Sequence, residues 1–269
     1  MFHIYGLALN YALPLSIGAE MVLVPAPKPK LYQTAITKTR PTVLPGVPTL
    51  YDKIIEWAVE TNADLSSIHT SVSGASTLPV ETIERWENAT GGRLIEGYGL
   101  TETAPILAGN PLDGTRRPGY IGLPFPNTEI RIADPDDPSR TMPDGEPGEL
   151  LARGPQVFSG YLNSPEANER AFHDGWFRTG DMAVMEPDGW IKLVARIKEM
   201  IITGGFNVYP DEVEGVMRNH PDIEDIAVVG RPRPDGSEDV VACITLIDGS
   251  ALDPDGLKAY ARQRLTRYK

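Results

Sequence analysis

"IHTSVSGASTLPVETIERWENATGGRLIEGYGL", Ile68–Leu100, is the stretch that decides the fold. "IHTSVSG" reads as a strand that ends in a glycine turn. "PVETIERWENATGG" reads as a helix, with Pro79 near its start and Gly91-Gly92 at its stop, the asymmetry that helices favour. "RLIEG" then closes a strand–helix–strand unit. Working outward, "TVLPG" reads as another strand, and "PTLYDKIIEWAVETN" as an amphipathic helix. The apolar residues of that helix, Leu50, Ile54, Trp57 and Ala58, recur at helical spacing. Further upstream "EMVLVP" (Glu20–Pro25) predicts a short strand, and "KLYQTAITKTR" a helix ended by Pro41. The opening "MFHIYGLALNYALPLSIGA" reads as a buried helix. Alternation of this kind predicts an α/β fold over residues 1–118, a parallel sheet with covering helices.

The character changes after Gly119. Short strands divided by Pro, Gly and Asp follow to residue 195: "EIRIAD", "GELLARG", "GWFRTGD", "MAVMEPDG" and "WIKLVAR". Turn signals this frequent predict a small β-barrel-like section or antiparallel sheet. "DPDDPSRTMPDGEPG" is a surface loop. Residues 196–269 read as a small α+β domain: strand "EMIITG", helix "PDEVEGVMRNH", strands "IEDIAVVG" and "VVACITLI", and helix "DPDGLKAYARQRLTRYK". Val213, Val216, Met217 and His220 share one face of the first of these helices, which is the pattern of a core.

Composition narrows the function classes. The 269 residues carry 25 Lys and Arg against 37 Asp and Glu, a net charge of −12. Such a chain is not built to grip nucleic acid or an anionic membrane. The single cysteine, Cys243, excludes an internal disulfide framework and a multi-cysteine zinc site, and it suits a reducing cytoplasm. Four scattered histidines, His3, His69, His173 and His220, make a zinc cluster a poor expectation. No stretch approaches the ~20 apolar residues that a membrane span needs. The first residues lack the basic start of a signal peptide and carry Asn10 and Pro14.

Two loops hold equivalent places in the α/β section. "SGAS" (Ser73–Ser76) follows one strand and "GYGLTE" (Gly97–Glu102) follows the next. If the strands are parallel neighbours, both loops emerge at the carboxyl edge of the sheet, where open α/β sheets bind ligands. Gly74 and Gly97 let backbone amides approach a ligand, and Tyr98 offers an aromatic face. Thr101 can donate to a phosphate oxygen, and Glu102 supplies a hard oxygen suited to Mg²⁺. The competing reading is two ordinary glycine turns, and these residues alone leave both open. Asp181, after Thr179-Gly180, either accepts ribose hydroxyls or caps a hairpin turn. Arg196 and Lys198, where the second section gives way to the third, either reach a phosphate or stand solvated. Gly204-Gly205 suit a hinge-side loop or a plain turn. Neither a Gly-x-x-x-x-Gly-Lys-Ser/Thr phosphate loop nor a Gly-x-Gly-x-x-Gly after a strand occurs.

Taken in order, "SGAS", "GYGLTE", "GWFRTGD", "ARIKEMIITGGFNVYP" and "PDEVE" resemble the adenylate-forming acyl-CoA synthetase superfamily, most of all its bacterial long-chain fatty-acid–CoA ligases. The likeness covers essentially the whole chain, and the block from Gly175 to Glu214 is highly specific. The resemblance implies an enzyme that joins a carboxylic acid to AMP from ATP with Mg²⁺, releases pyrophosphate, and passes the acyl group to coenzyme A. It places Tyr98 on adenine, and Gly74, Ala75, Ser76, Glu96, Gly97 and Gly99 around the nucleotide and acyl pocket. It puts Thr101 on the α-phosphate, Glu102 on Mg²⁺, and Asp181 and Arg196 on the ribose. Lys198 falls at the family's hinge, Gly204 and Gly205 at the border of the coenzyme A channel, and His3, in "FHIYG", beside the acyl and phosphate site. A packed histidine is an equal reading of His3.

The chain also departs from the family. The Ser/Thr/Gly-rich loop ending in Pro-Lys-Gly belongs ahead of "FHIYG", and the adenylating lysine beyond "LTRYK"; neither occurs in these 269 residues. The expectation is a fragment of a longer cytoplasmic ligase, with impaired catalysis and with small molecules rather than nucleic acid as partners. Peripheral membrane contact is an expectation for the longer enzyme alone. Two alternatives stand beside it: adenylation for a carrier protein, and a remnant that binds nucleotide without catalysis.

Overall fold

Proline at or just before the first turn and a left-handed residue at the last delimit the three longer helices of the first section. A helix can spare its first backbone N–H groups and stops where the backbone turns left-handed. In the computed structural model, which describes residues 3–26, 28–203, 206–233 and 238–269, Pro48 opens a helix that Asn62 (φ 52°) ends. Gly91 (φ 70°) ends the next. The chain starts with a helical run made of α1 (Ile4–Leu7), a π-helical turn Ala8–Ala12 and α2 (Leu13–Ile17). Then follow α3 (Pro29–Thr39), β1 (Val43–Gly46), α4 (Pro48–Thr61), β2 (Thr70–Ser73), α5 (Val80–Thr90) and β3 (Arg93–Tyr98).

Strands β1, β2 and β3 are parallel and adjacent, in a register that sets Gly46 beside Ser73 and Ser73 beside Glu96. Short antiparallel strands β4 (Ala108–Gly109) and β5 (Leu123–Pro124) extend this sheet. Helices α4 and α5 supply its core through Tyr51, Ile54, Ile55, Ile83 and Trp86. The buried face of α4 runs Tyr51, Ile54, Ile55 and Ala58, one residue round from the expected stripe, with Leu50 and Trp57 on its margins. Trp86 is fully buried, donates to Ser71 Oγ at 3.1 Å, and meets Tyr51 edge-on with ring centroids 4.8 Å apart. Burying a side chain of this size contributes about 1.5–3 kcal/mol.

The middle of the chain forms an antiparallel sheet in the order β10-β9-β7-β6: β6 (Glu129–Ala133), β7 (Gly148–Arg153), β9 (Trp176–Met185) and β10 (Ile191–Arg196). Helix α6 (Pro165–Ala171) and β8 (Phe172–His173), which pairs with β9, lie between β7 and β9 in sequence. The last part pairs β11 (Ile201–Thr203) with β12 (Phe206–Val208), and β13 (Ile223–Pro232) with β14 (Glu238–Leu246). Helices α7 (Pro210–Met217) and α8 (Pro254–Arg262) accompany them. This part has its own core of Ile201, Val208, Val213, Met217, Ile226 and Val228. His220 meets the Tyr260 ring at 4.7 Å and is a packing residue.

Several expectations fail. Glu20–Pro25 forms no strand; among the described residues its β-prone side chains pair with no neighbour, and Leu23 is exposed. The opening helix is present, but none of its residues is buried. "GWFRTGD" and "MAVM" form one continuous strand, β9; Gly180 takes a positive φ (74°) within it, where the pairing of β9 with β7 shifts register between Glu149 and Leu151. Asp181 therefore lies mid-strand, paired with Arg196, and caps no hairpin. The last helix stops at Arg262 instead of running to the end; beyond it Leu265 joins the third core and Tyr268 stacks on Phe206 at 4.6 Å. Among the described residues no helix is long and apolar enough to cross a membrane.

Candidate active site

The carboxyl ends of β2 and β3 open onto a cleft of about 1030 Å³. From the α/β section His3, Gly74, Ala75, Gly97, Gly99 and Tyr98 line it, with Thr101 and Glu102. Across it stand Thr179 and Gly180 of β9, then Arg196 and Lys198. Residues more than a hundred positions apart thus face one space. Three expected residues stand off the wall. Glu96 and Asp181 are buried behind it, and Ser76 is exposed in the loop beyond. Gly204 and Gly205 lie outside the described residues.

The two glycine loops differ in what their glycines do. At Gly74 a Cβ would come within 2.8 Å of the Tyr5 ring, so the close approach there is made by Tyr5. The Tyr5 hydroxyl reaches the carbonyls of Val72 (2.5 Å) and Gly46 (3.2 Å). Next to it Ala75 sits at φ 70°, a left-handed conformation that an alanine adopts at a cost of roughly 1–2 kcal/mol. At Gly99 a Cβ would fall 1.7 Å from the Pro105 carbonyl oxygen, which only glycine allows.

The turn Thr101–Thr103 divides its labour. Thr103 is fully buried, and its Oγ accepts the Leu100 N–H at 2.9 Å, which pins the turn. Thr101 is exposed and Glu102 half-buried, both on the cleft. The Glu102 carbonyl accepts the Phe158 N–H at 2.8 Å, and its carboxylate Oε1 accepts the Tyr161 hydroxyl at 2.8 Å. Partial burial, reinforced by that carboxylate, pushes the Tyr161 phenol up to about 12.

Opposite, the Asp181 carboxylate accepts the Tyr98 hydroxyl at 2.6 Å and meets Arg196 Nε at 3.2 Å. Burial raises Asp181 above the usual carboxylate range, while Tyr98 and Arg196 pull it back. The cleft also contains arginines the sequence reading missed. Arg178 is neutralised by Glu149, which is nearly fully buried and lies 2.5 and 2.8 Å from the guanidinium nitrogens. Arg170 stands exposed on the wall from α6. Tyr161 was missed as well. Its only sequence signal is an aromatic beside Gly160, with nothing to tie it to a glutamate 59 positions earlier.

Among the described residues no group of three or more His, Cys, Asp or Glu is placed to hold a metal. A cage built of protein alone is therefore not what this site offers. Mg²⁺ usually takes one or two carboxylates and completes its shell with water and substrate phosphates. Glu102 fits that habit: a hard oxygen donor on the cleft, with Oε2 unpartnered among the described residues.

Residues 1–162 match the model of the AMP-binding enzyme family, and residues 212–269 match that of the AMP-binding enzyme C-terminal domain. The chain belongs to the AMP-binding enzyme family. A long-chain-fatty-acid–CoA ligase of Bacillus subtilis (strain 168) is 41% identical over 270 residues, covering 100% of this chain and 48% of that protein. The chain thus spans about half the length of the curated relatives it matches. Among solved members, ATP-bound MatB from Rhodopseudomonas palustris superposes with a TM-score of 0.90 at 32% identity, over 99% of this chain and 52% of that one. The anthranilate CoA ligase AuaEII in complex with anthranoyl-AMP superposes at 0.85 with 28% identity, over 100% and 52%. The mixed α/β architecture is accordingly that of adenylate-forming enzymes.

Proposed function

We propose that the chain provides the nucleotide- and metal-binding part of an AMP-forming ligase that activates a fatty acid and passes it to coenzyme A. The observation that carries this is the convergence on one cleft of Tyr98, Thr101 and Glu102 from one edge with Arg196 and Lys198 from the other. The names of the relatives supply the substrate class.

In the reaction, a carboxylate oxygen attacks the α-phosphorus of ATP and the bond to pyrophosphate breaks. The thiol of coenzyme A, losing its proton, then attacks the acyl carbonyl carbon and AMP departs. Tyr98 gives a ring face to adenine, Asp181 and Arg196 orient the ribose, and Thr101 donates to the α-phosphate. Glu102 holds Mg²⁺, which when bound neutralises phosphate charge. His3 and the backbone at Gly74, Ala75 and Gly97 border the acyl side. Residues 196–269 act as the mobile part, with Lys198 as the hinge and Gly204-Gly205 toward coenzyme A; their closure would exclude water from a hydrolysable acyl-adenylate.

Isothermal titration of the 269-residue chain with AMP and with ATP–Mg²⁺ tests the nucleotide reading. Saturable binding that Asp181→Asn weakens is expected; absence of nucleotide binding by the folded chain refutes it. Fatty-acid-dependent ATP–pyrophosphate exchange then asks whether these residues alone carry the first half-reaction.

A further inference from the structure

We propose that Tyr161 and Phe158 form a two-point hold on Glu102, which makes Tyr161 a positioning residue for the metal-binding carboxylate. This rests on the nucleotide and metal reading above and goes beyond it. Glu102 belongs to a single 3₁₀ turn, Thr101–Thr103. Thr103 pins that turn to Leu100 and also reaches the Pro105 carbonyl at 3.1 Å. The Glu102 carbonyl is instead taken by the Phe158 N–H at 2.8 Å, and Oε1 by the Tyr161 hydroxyl at 2.8 Å. Both donors come from the segment between β7 and α6. The residue that would meet the metal is thus gripped at its backbone and at its tip by a different part of the chain.

The grip is itself braced. Asn168 of α6 accepts the Tyr161 N–H at 2.6 Å and donates to its carbonyl at 3.0 Å, a paired bond that fixes the Tyr161 backbone. The Phe158 ring lies edge-on to Tyr161 at 4.8 Å, and to Phe177 at 5.4 Å. A free glutamate must order several side-chain torsions before it can meet a metal. Here one oxygen is already tied and the other, Oε2, is left for the ligand. Tyr161 is 39% exposed, so burial of its ring does not explain its placement. A hydrogen bond to one carboxylate oxygen is compatible with a metal on the other, as is usual among carboxylates that ligate metals.

The test uses Tyr161→Phe in the 269-residue chain, which removes the hydroxyl and keeps the ring. Mn²⁺, observed by electron paramagnetic resonance in the presence of ATP, reports the metal, and calorimetry of ATP in EDTA reports the nucleotide alone. Because the bond is to a charge but partly exposed, Mn²⁺ affinity is expected to fall by roughly 3–10-fold. ATP affinity in EDTA and the thermal melt should not move. Glu102→Gln, with the carboxylate gone, should cost more than Tyr161→Phe. If Glu102→Gln weakens Mn²⁺ binding and Tyr161→Phe leaves it unchanged, the hold is wrong and the metal role of Glu102 stands. An equal loss of metal-free ATP affinity in Tyr161→Phe also overturns the hold, because Tyr161 would then serve the nucleotide or the local fold. If the unaltered chain binds neither ATP nor Mn²⁺–ATP, the nucleotide reading falls and the hold falls with it.

Discussion

Glu96→Gln should remove a loss of stability that the chain otherwise suffers between mildly acidic and mildly alkaline pH. Glu96 lies near the end of β3, only 7% exposed, and its Oε1 accepts the Leu78 N–H at 3.3 Å. Burial pushes its carboxyl up from 4.5 to about 7, against the smaller opposing pull of that N–H. The folded chain therefore keeps a proton that the unfolded chain has released. Its contribution is fully present below about 4.5, declines through the interval, and is gone above about 7, where folding must bury a carboxylate. At ~1.36 kcal/mol for each pH unit of that gap, the loss is about 3 kcal/mol. Glutamine keeps an acceptor for Leu78 and cannot ionise. Urea unfolding followed by tryptophan fluorescence, run on both chains at pH 4.5 and pH 8, measures the effect. The advantage of Glu96→Gln should be about 3 kcal/mol larger at pH 8, or about 6–12 °C in midpoint for a unit of this size. The pH dependence of the difference is the informative quantity, since a buried amide adds a constant offset at both pH values. A difference between the two chains that is the same at pH 4.5 and pH 8 would refute the reasoning.

Gly99→Ala should cost more than the ~1 kcal/mol typical of point substitutions, because the added methyl would sit 1.7 Å from the Pro105 carbonyl oxygen and displace the turn that carries Glu102; nucleotide titration should show binding reduced or lost. Arg178→Gln removes the cation from the buried Glu149 carboxylate, whose other partner among the described residues is the Gly180 N–H at 3.2 Å, and urea unfolding should report a loss of about 3 kcal/mol or more. The double change Arg178→Gln with Glu149→Gln should recover part of that loss. If the double variant is no more stable than Arg178→Gln alone, the uncompensated charge is not the cause.

What could be read in advance was whatever the chain states locally. Pro48, Pro79, Asn62 and Gly91 mark helix ends by backbone geometry, so the strand–helix–strand unit was legible, and with it the position of both glycine loops at one sheet edge. The gathering of Thr101, Glu102, Arg196 and Lys198 was legible only through the resemblance, since spacing in sequence says nothing about which loops face each other. What stayed hidden depends on partners. Glu20–Pro25 has the composition of a strand but, among the described residues, no strand beside it to complete a ladder. "GWFRTGD" and "MAVMEPDG" read as two strands, yet Trp176–Met185 is one, with the left-handed Gly180 inside it. Tyr161, Tyr5 and Arg178 act through contacts 59, 67 and 29 positions away, which no local pattern encodes.

The packing of Tyr5 on Gly74 has a consequence for how this site can vary. Tyr5 makes the hydrogen bonds that tie the opening helical run to the sheet, and its ring occupies the space a side chain at position 74 would need. Since none of the run's residues is buried, this contact acts as its mooring. Position 74 also lines the cleft. Any side chain larger than hydrogen there narrows the cleft and lifts the mooring in the same movement. The width of the cleft at Gly74 and the seating of the first helices are therefore not independent traits; a change in one residue requires an answering change in the other.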